Sequence, residues 1–208
     1  MTKTVGCIAV AIGAVVLLAL VVGGAIFSTY NSLVTSEEGV EAQWAQVENV
    51  YQRRADLIPN LVATVRGAAE FESSTLQDVI EARSRVSQMT VDESVLDNPE
   101  AFARFEAAQN QLSSALSRLM LVVERYPELR AVAAFRDLQA QLEGTENRIA
   151  NERRRFNEVA RDFNAAIRRV PASWFISMLG WEFDRKPFFE SQPGSEAPPE
   201  VEFDFDGE

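Results

Sequence analysis

An all-α fold, with an N-terminal transmembrane helix followed by an antiparallel (up-and-down) four-helix bundle, is predicted by three features of the sequence. The first is an uncharged apolar run from Val5 to Phe27. The second is an apolar spacing of three and four residues that continues almost unbroken from Asn31 to Val170. The third is a set of proline-marked breaks that cut this stretch into four amphipathic segments with short connectors. No alternating pattern of the kind a strand would show competes with these signals.

The 23 residues Val5–Phe27 contain neither charge nor proline. As a helix they extend roughly 34 Å, enough to cross a hydrocarbon core about 30 Å thick. Phe27 and Tyr30 stand where an interfacial aromatic belt is expected. Gly23-Gly24-Ala25 offers a signal-peptide cleavage site as the competing reading. The run is longer than a typical h-region, however, and Lys3 alone makes a poor n-region, so an uncleaved anchor is expected. Cys7 has no export signal before it and reads as a small anchor residue rather than a lipidation site. The pairs Ala9/Gly13, Ala19/Gly23 and Gly24/Ser28 carry the small-xxx-small spacing that lets two anchors approach.

The bundle is expected over residues 31–172. Its first helix carries Val40, Trp44, Val47 and Tyr51 and is expected to end at Ile58, because Pro59 lacks an amide hydrogen and belongs at a helix start. The second places Val62, Val65, Ala69, Leu76, Val79 and Val86 on one stripe. Asp97-Asn98-Pro99 marks a turn and N-cap, after which Phe102, Phe105, Leu112, Leu116, Leu119 and Val123 point inward as far as Tyr126-Pro127. The fourth helix repeats Phe135, Leu138, Leu142, Thr145, Ile149, Glu152, Phe156, Val159, Phe163, Ile167 and Val170, a heptad-like stripe that asks for near-parallel, coiled-coil-like packing. Residues 173–189 are rich in aromatic side chains and are expected to fold across the bundle end, with a membrane surface or a partner as the alternative dock. Residues 190–208 combine Pro, Gly, Ser and acid and read as a disordered tail.

Composition excludes several functions. The net charge of −11, of which about −7 sits beyond Phe189, speaks against binding nucleic acid through its phosphates. A chain with no histidine has no Ser-His-Asp or Cys-His nucleophile system and no His-ligated zinc or di-iron site. Glu143 and Glu146 have no neighbouring nucleophile and read as ordinary helix residues. Arg148, Arg153, Arg154, Arg155, Arg161 and Arg168 are interleaved with Glu152, Glu158 and Asp162, which reads as a solvated, self-paired face, with Arg154/Glu158 at i,i+4. No phosphate loop, cysteine cluster or calcium-loop spacing occurs. No catalytic, cofactor-binding or metal-binding residue is nominated, and neither a cofactor nor a small-molecule substrate is expected. Glu72, Arg83 and Glu152 fall on inward positions. With the chain reversing at Pro59, Arg83 and Glu152 come to similar depth, and a buried pair that fixes helix register is expected.

Several blocks resemble the signature of the LemA family. They are Tyr30-Asn31-x-Leu33-Val34, Arg53-Arg54-x-Asp56-Leu57-Ile58-Pro59-Asn60-Leu61-Val62, Ala82-Arg83, Glu124-x-Tyr126-Pro127-x-Leu129 and Thr145-Glu146-Asn147-Arg148-Ile149, with Arg153, Phe156-Asn157, Asn164 and Pro171. The resemblance implies a bacterial-type membrane protein with one N-terminal transmembrane helix, a four-helix up-and-down bundle and no established enzymatic activity; one branch is associated with magnetosome membranes. Phe156-Asn157 stands where many members have Tyr-Asn, and Glu152 replaces a usually small residue. The expected role is that of a scaffold or adaptor, bound to the lipid bilayer through Val5–Phe27 and to other membrane proteins or to a second copy. The alternative is an accessory subunit of a membrane enzyme such as a protease. The cell membrane is the expected location. Lys3 and the positive-inside rule place the bundle outside, whereas the family resemblance implies the opposite side.

Overall fold

A computed structural model describes residues 2–67, 73–89 and 92–190, with side chains from residue 12 onward except those of Ser73 and Arg130. The architecture is all-helical among the described residues: α1 (Thr2–Arg66), α2 (Ser73–Ser87), a 3-10 turn (Glu93–Asp97), α3 (Pro99–Val123), α4 (Pro127–Ala131), α5 (Ala133–Ala166) and α6 (Ala172–Leu179). The bundle consists of α1, α2, α3 and α5, running alternately away from and back toward the apolar end of α1, with α1 against α5 and α2 against α3. Glu72 and the tail beyond Glu190 lie outside the described residues, as does Ala69.

α1 is a single 65-residue helix with two different environments. Ile12, Val15, Val16, Leu17, Leu18, Leu20, Val21, Val22 and Phe27 are exposed, and this part is long and apolar enough to cross a membrane. From Leu33 onward one face is buried: Val40, Trp44, Val47 and Tyr51, then Ile58, Leu61 and Val65. The expected break before Pro59 does not occur, because Pro59 sits inside the helix. A mid-helix proline leaves the carbonyl four residues earlier without its amide partner. Here that carbonyl belongs to Ala55, and Arg83 Nε of α2 donates to it at 3.1 Å. A tertiary contact thus replaces the missing local bond. The chain reverses after Arg66 instead, so Val62 and Val65 belong to α1, and α2 buries Leu76, Val79, Ala82 and Val86.

This shift of the first turn also overturns the expected Arg83–Glu152 pair. Arg83 serves the Ala55 carbonyl, while Glu152 accepts from Gln43 Nε2 at 2.7 Å and Arg155 Nη1 at 3.1 Å. The α3 start is as the sequence predicts: Asn98 Oδ1 accepts from the amides of Glu100 and Ala101 at 3.0 Å, and Pro99 occupies the first turn. Two apolar clusters fill the bundle. The membrane-proximal one joins Leu33–Tyr51 of α1 to Phe102, Phe105, Ile149, Phe156 and Phe163. The distal one joins Leu57–Val65 to α2, Leu112–Val123, Leu129 and Phe135–Leu142.

Candidate functional site

Between the two clusters lies a polar layer built on Arg54. Its neighbours Tyr51 and Ile58 face the core one turn to either side, so helical spacing carries Arg54 inward as well, and it is 1% exposed. A buried guanidinium needs hydrogen-bond partners, and Arg54 finds them at its two terminal nitrogens, while its Nε is buried without one. Nη1 donates to Ser113 Oγ at 2.6 Å and to Glu146 Oε1 at 2.8 Å. Nη2 donates to the Gln109 carbonyl at 3.3 Å and to Gln109 Oε1. The group also lies 5.1 Å from the centre of the Tyr51 ring, whose phenol is held above its ordinary pKa mainly by burial. One side chain of α1 therefore ties α3 and α5 together at mid-height. A cross-helix tie of the kind expected of Arg83 and Glu152 is thus made by other residues.

A second assembly closes the proximal half. After α6, Gly180 adopts φ +68°, a left-handed conformation that suits glycine, and its amide bonds the Ile176 carbonyl at 3.0 Å. The chain then returns along α5 as a strap, residues 181–190. Asn164 Nδ2 donates to the Lys186 carbonyl at 2.8 Å, and its Oδ1 accepts from the Lys186 amide at 2.9 Å. Asn157 does the same for Phe189, with both bonds at 2.9 Å. Seven helical residues advance about 10.5 Å and three extended ones about 10 Å, so two asparagines one heptad apart match backbone sites three residues apart.

Side chains complete the closure. Phe189 is buried against Trp44, Phe102 and Phe156. Lys186 bonds Asp97 at 2.7 Å and Glu37 at 2.9 Å. Burial acts against its ammonium, but the bonds from Asp97 and Glu37 outweigh this and hold its pKa above the ordinary lysine value. Arg153 pairs with Glu106 of α3, donates to the Glu190 carbonyl at 3.1 Å, and lies 4.5 Å from the centre of the Phe189 ring. Burial raises the Glu106 carboxyl, against the opposing pull of Arg153.

A cleft of about 440 Å³ opens beside these residues, lined by Arg54, Ser113, Glu146, Arg153, Asn157 and Phe189. Arg54 and Arg153 each face a carboxylate, and Ser113 accepts from the Arg54 guanidinium. Among the described residues no three Asp, Glu or Cys side chains converge as a metal site requires.

By sequence, Glu143 and Glu146 alike belong to ordinary helix chemistry. Glu143 accepts from Gln139 on the surface, whereas Glu146 reaches Arg54. Of the arginines that read as a solvated face, Arg155 pairs with Glu152 and Arg161 with Asp162, both exposed, and Arg154 donates to Asn151. Arg153 departs from that reading and is largely enclosed. Arg54 does not stand out in the sequence on its own, although its i,i+4 relation to Ile58 within a buried stripe carries that signal.

These features define a class: an all-helical bundle carried on an apolar helix of membrane-crossing length and braced by buried polar contacts. The chain belongs to the LemA family, whose model matches residues 43–203. It is similar to magnetosome protein MamQ of Magnetospirillum gryphiswaldense, 28% identical over 81% of this chain and 67% of that protein. Magnetosome protein MamQ 2 of Paramagnetospirillum magneticum is 27% identical over the same shares. Protein LemA of Metamycoplasma hominis is 23% identical over 66% of this chain and 58% of its own length. The matched stretch includes the Arg54 layer, Pro59 with Arg83, and the strap asparagines Asn157 and Asn164.

Proposed function

We propose that this protein is a membrane-anchored helical-bundle scaffold or adaptor without catalytic activity, seated in the cell membrane by a single pass of α1. Its bundle meets other membrane proteins or a second copy of the chain. The continuity of α1 carries this reading: one helix runs from the apolar segment to the far end of the core, so the anchor's position and tilt pass directly to the bundle. The buried ionisable groups support it too. Arg54, Arg153 and Lys186 each join one segment of the chain to another through ion pairs. Likeness to proteins named for the magnetosome, and not for a reaction, agrees with this.

The test is affinity recovery of the full chain from detergent-solubilised membranes, read by mass spectrometry. Recovery of the chain itself, or of non-enzymatic membrane proteins, is expected. One enzyme recovered in stoichiometric amount would instead make this chain an accessory subunit, and turnover by the purified protein would overturn the non-catalytic reading.

A further inference from the structure

We propose that α6 is an interfacial helix that lies on the bilayer, its exposed apolar face entering the headgroup layer of the leaflet from which α1 emerges. The inference rests on the reading that α1 spans the membrane. α6 is apolar on two sides. Ala172 and Ile176, four residues apart, face the bundle, Ala172 buried and Ile176 against the proximal core. Trp174 and Met178, also four apart, face away and are 67% and 69% exposed, flanked by Val170 and Leu179. Residues four apart share a helix face, so the helix carries a second apolar face that the bundle does not cover.

Its position in the fold says what covers that face. α6 touches α1, and the Gly180 turn brings Trp181 to 5.0 Å from Tyr30, with Phe183 at 5.9 Å. Tyr30 stands three residues beyond Phe27, the end of the apolar run, and thus about 4.5 Å past it along the axis. The headgroup layer of one leaflet is about 5–7 Å deep. The aromatic cluster at the foot of the bundle therefore sits at headgroup depth, where Trp and Tyr concentrate. Arg168 and Arg169, both exposed, lie four and three residues before the first residue of the helix and suit lipid phosphates. The exposed carboxylate of Glu182 falls between Trp181 and Phe183, beyond α6 and off its exposed face, and the strap carries Asp184 away along α5 toward Asn157. The face is thus continuous with the membrane-crossing segment and carries positive charge at its edge.

The test uses the full-length protein with Cys7→Ser, reconstituted in vesicles of phosphatidylcholine and phosphatidylglycerol. Spin labels are placed singly at Met178→Cys, at Leu17→Cys in the anchor and at Leu121→Cys on the distal surface. Collision with oxygen and with a water-soluble nickel chelate is measured for each. The Met178 label is expected to meet the chelate several-fold less than the Leu121 label while keeping access to oxygen. Equal access at Met178 and Leu121, with Leu17 in hydrocarbon, would overturn the inference and leave the anchor standing. If the Leu17 label is also in water, the anchor reading falls and this one falls with it. Low access of Met178 to both reagents, with dipolar broadening that vanishes on dilution with unlabelled chain, would assign the face to a second copy and overturn lipid contact.

Discussion

Arg83→Met deletes the donor that the Ala55 carbonyl takes in place of the amide that Pro59 lacks, while the methionine keeps most of the apolar stem. A hydrogen bond to a charged group contributes about 1.5–3 kcal/mol. Arg83 is half-buried, so the lower part of that range applies, about 1.5–2 kcal/mol. In a Pro59→Ala background the residue regains its N–H and the helix satisfies Ala55 by itself. The same Arg83→Met should then cost under about 0.5 kcal/mol, the usual margin of additivity. The two sites should therefore be coupled by about 1 kcal/mol or more. For a chain of this size 1 kcal/mol moves Tm by about 2–4 °C, so Arg83→Met should melt about 3–8 °C lower with Pro59 present and nearly unchanged in the Pro59→Ala background. Far-UV circular dichroism of the full chain in detergent, followed through heat and urea unfolding, measures all four proteins. Equal costs in both backgrounds would refute the assignment and place the contribution of Arg83 in packing alone.

Other perturbations probe the strap and the topology. Asn164→Ala removes both bonds to Lys186, about 1–3 kcal/mol, and should speed tryptic cleavage after Arg185 on the order of 10- to 100-fold; an unchanged rate would show that the strap is held elsewhere. Lys186→Met should lower stability by about 1–3 kcal/mol at pH 7. Because the folded-state pKa of Lys186 is raised, its contribution is complete below the ordinary lysine value of 10.5 and is lost as pH rises through the folded value. The gap between wild type and variant in denaturant melts should thus close only in strongly alkaline solution, and a gap that closes near neutrality contradicts the ion-pair account. If the positive-inside rule read from Lys3 sets the orientation, the bundle faces outward and alkaline phosphatase fused after Phe189 should be active. An inactive phosphatase beside an active cytoplasmic reporter reverses this orientation.

The parts of the fold legible in the sequence are those written in local spacing. Phe135, Leu138, Leu142, Thr145, Ile149, Phe156, Phe163 and Ile167 read as one stripe and are all buried; Asn98 reads as a cap and caps α3. The stripe misleads at Glu152 and Val159, which are half-buried, and at Val170, which is exposed. It passes over Ala160 and Asn164, because the strap draws the buried face of α5 around toward itself. Pro59 misleads because the local rule is sound and the exception is not local: its rescue comes from Arg83, 28 residues from the rescued carbonyl. The Arg54 layer is hidden for a similar reason. It falls in the block where the first helix is expected to end, and its partners Gln109, Ser113 and Glu146 come from helices whose register the sequence does not state. The strap asparagines bind backbone, which leaves no complementary side chain to notice.

The unbroken length of α1 makes the molecule a lever. From Phe27 to Arg66 the helix extends roughly 58 Å beyond the apolar run. Transmembrane helices tilt by up to about 40° as bilayer thickness and neighbours dictate. A change of only about 10° would sweep the tip near Arg66 through roughly 10 Å, twice the spacing between neighbouring strands of a sheet. Events in the bilayer that alter tilt would therefore reach the far end of the bundle as a displacement of side-chain dimensions, with no rearrangement inside it.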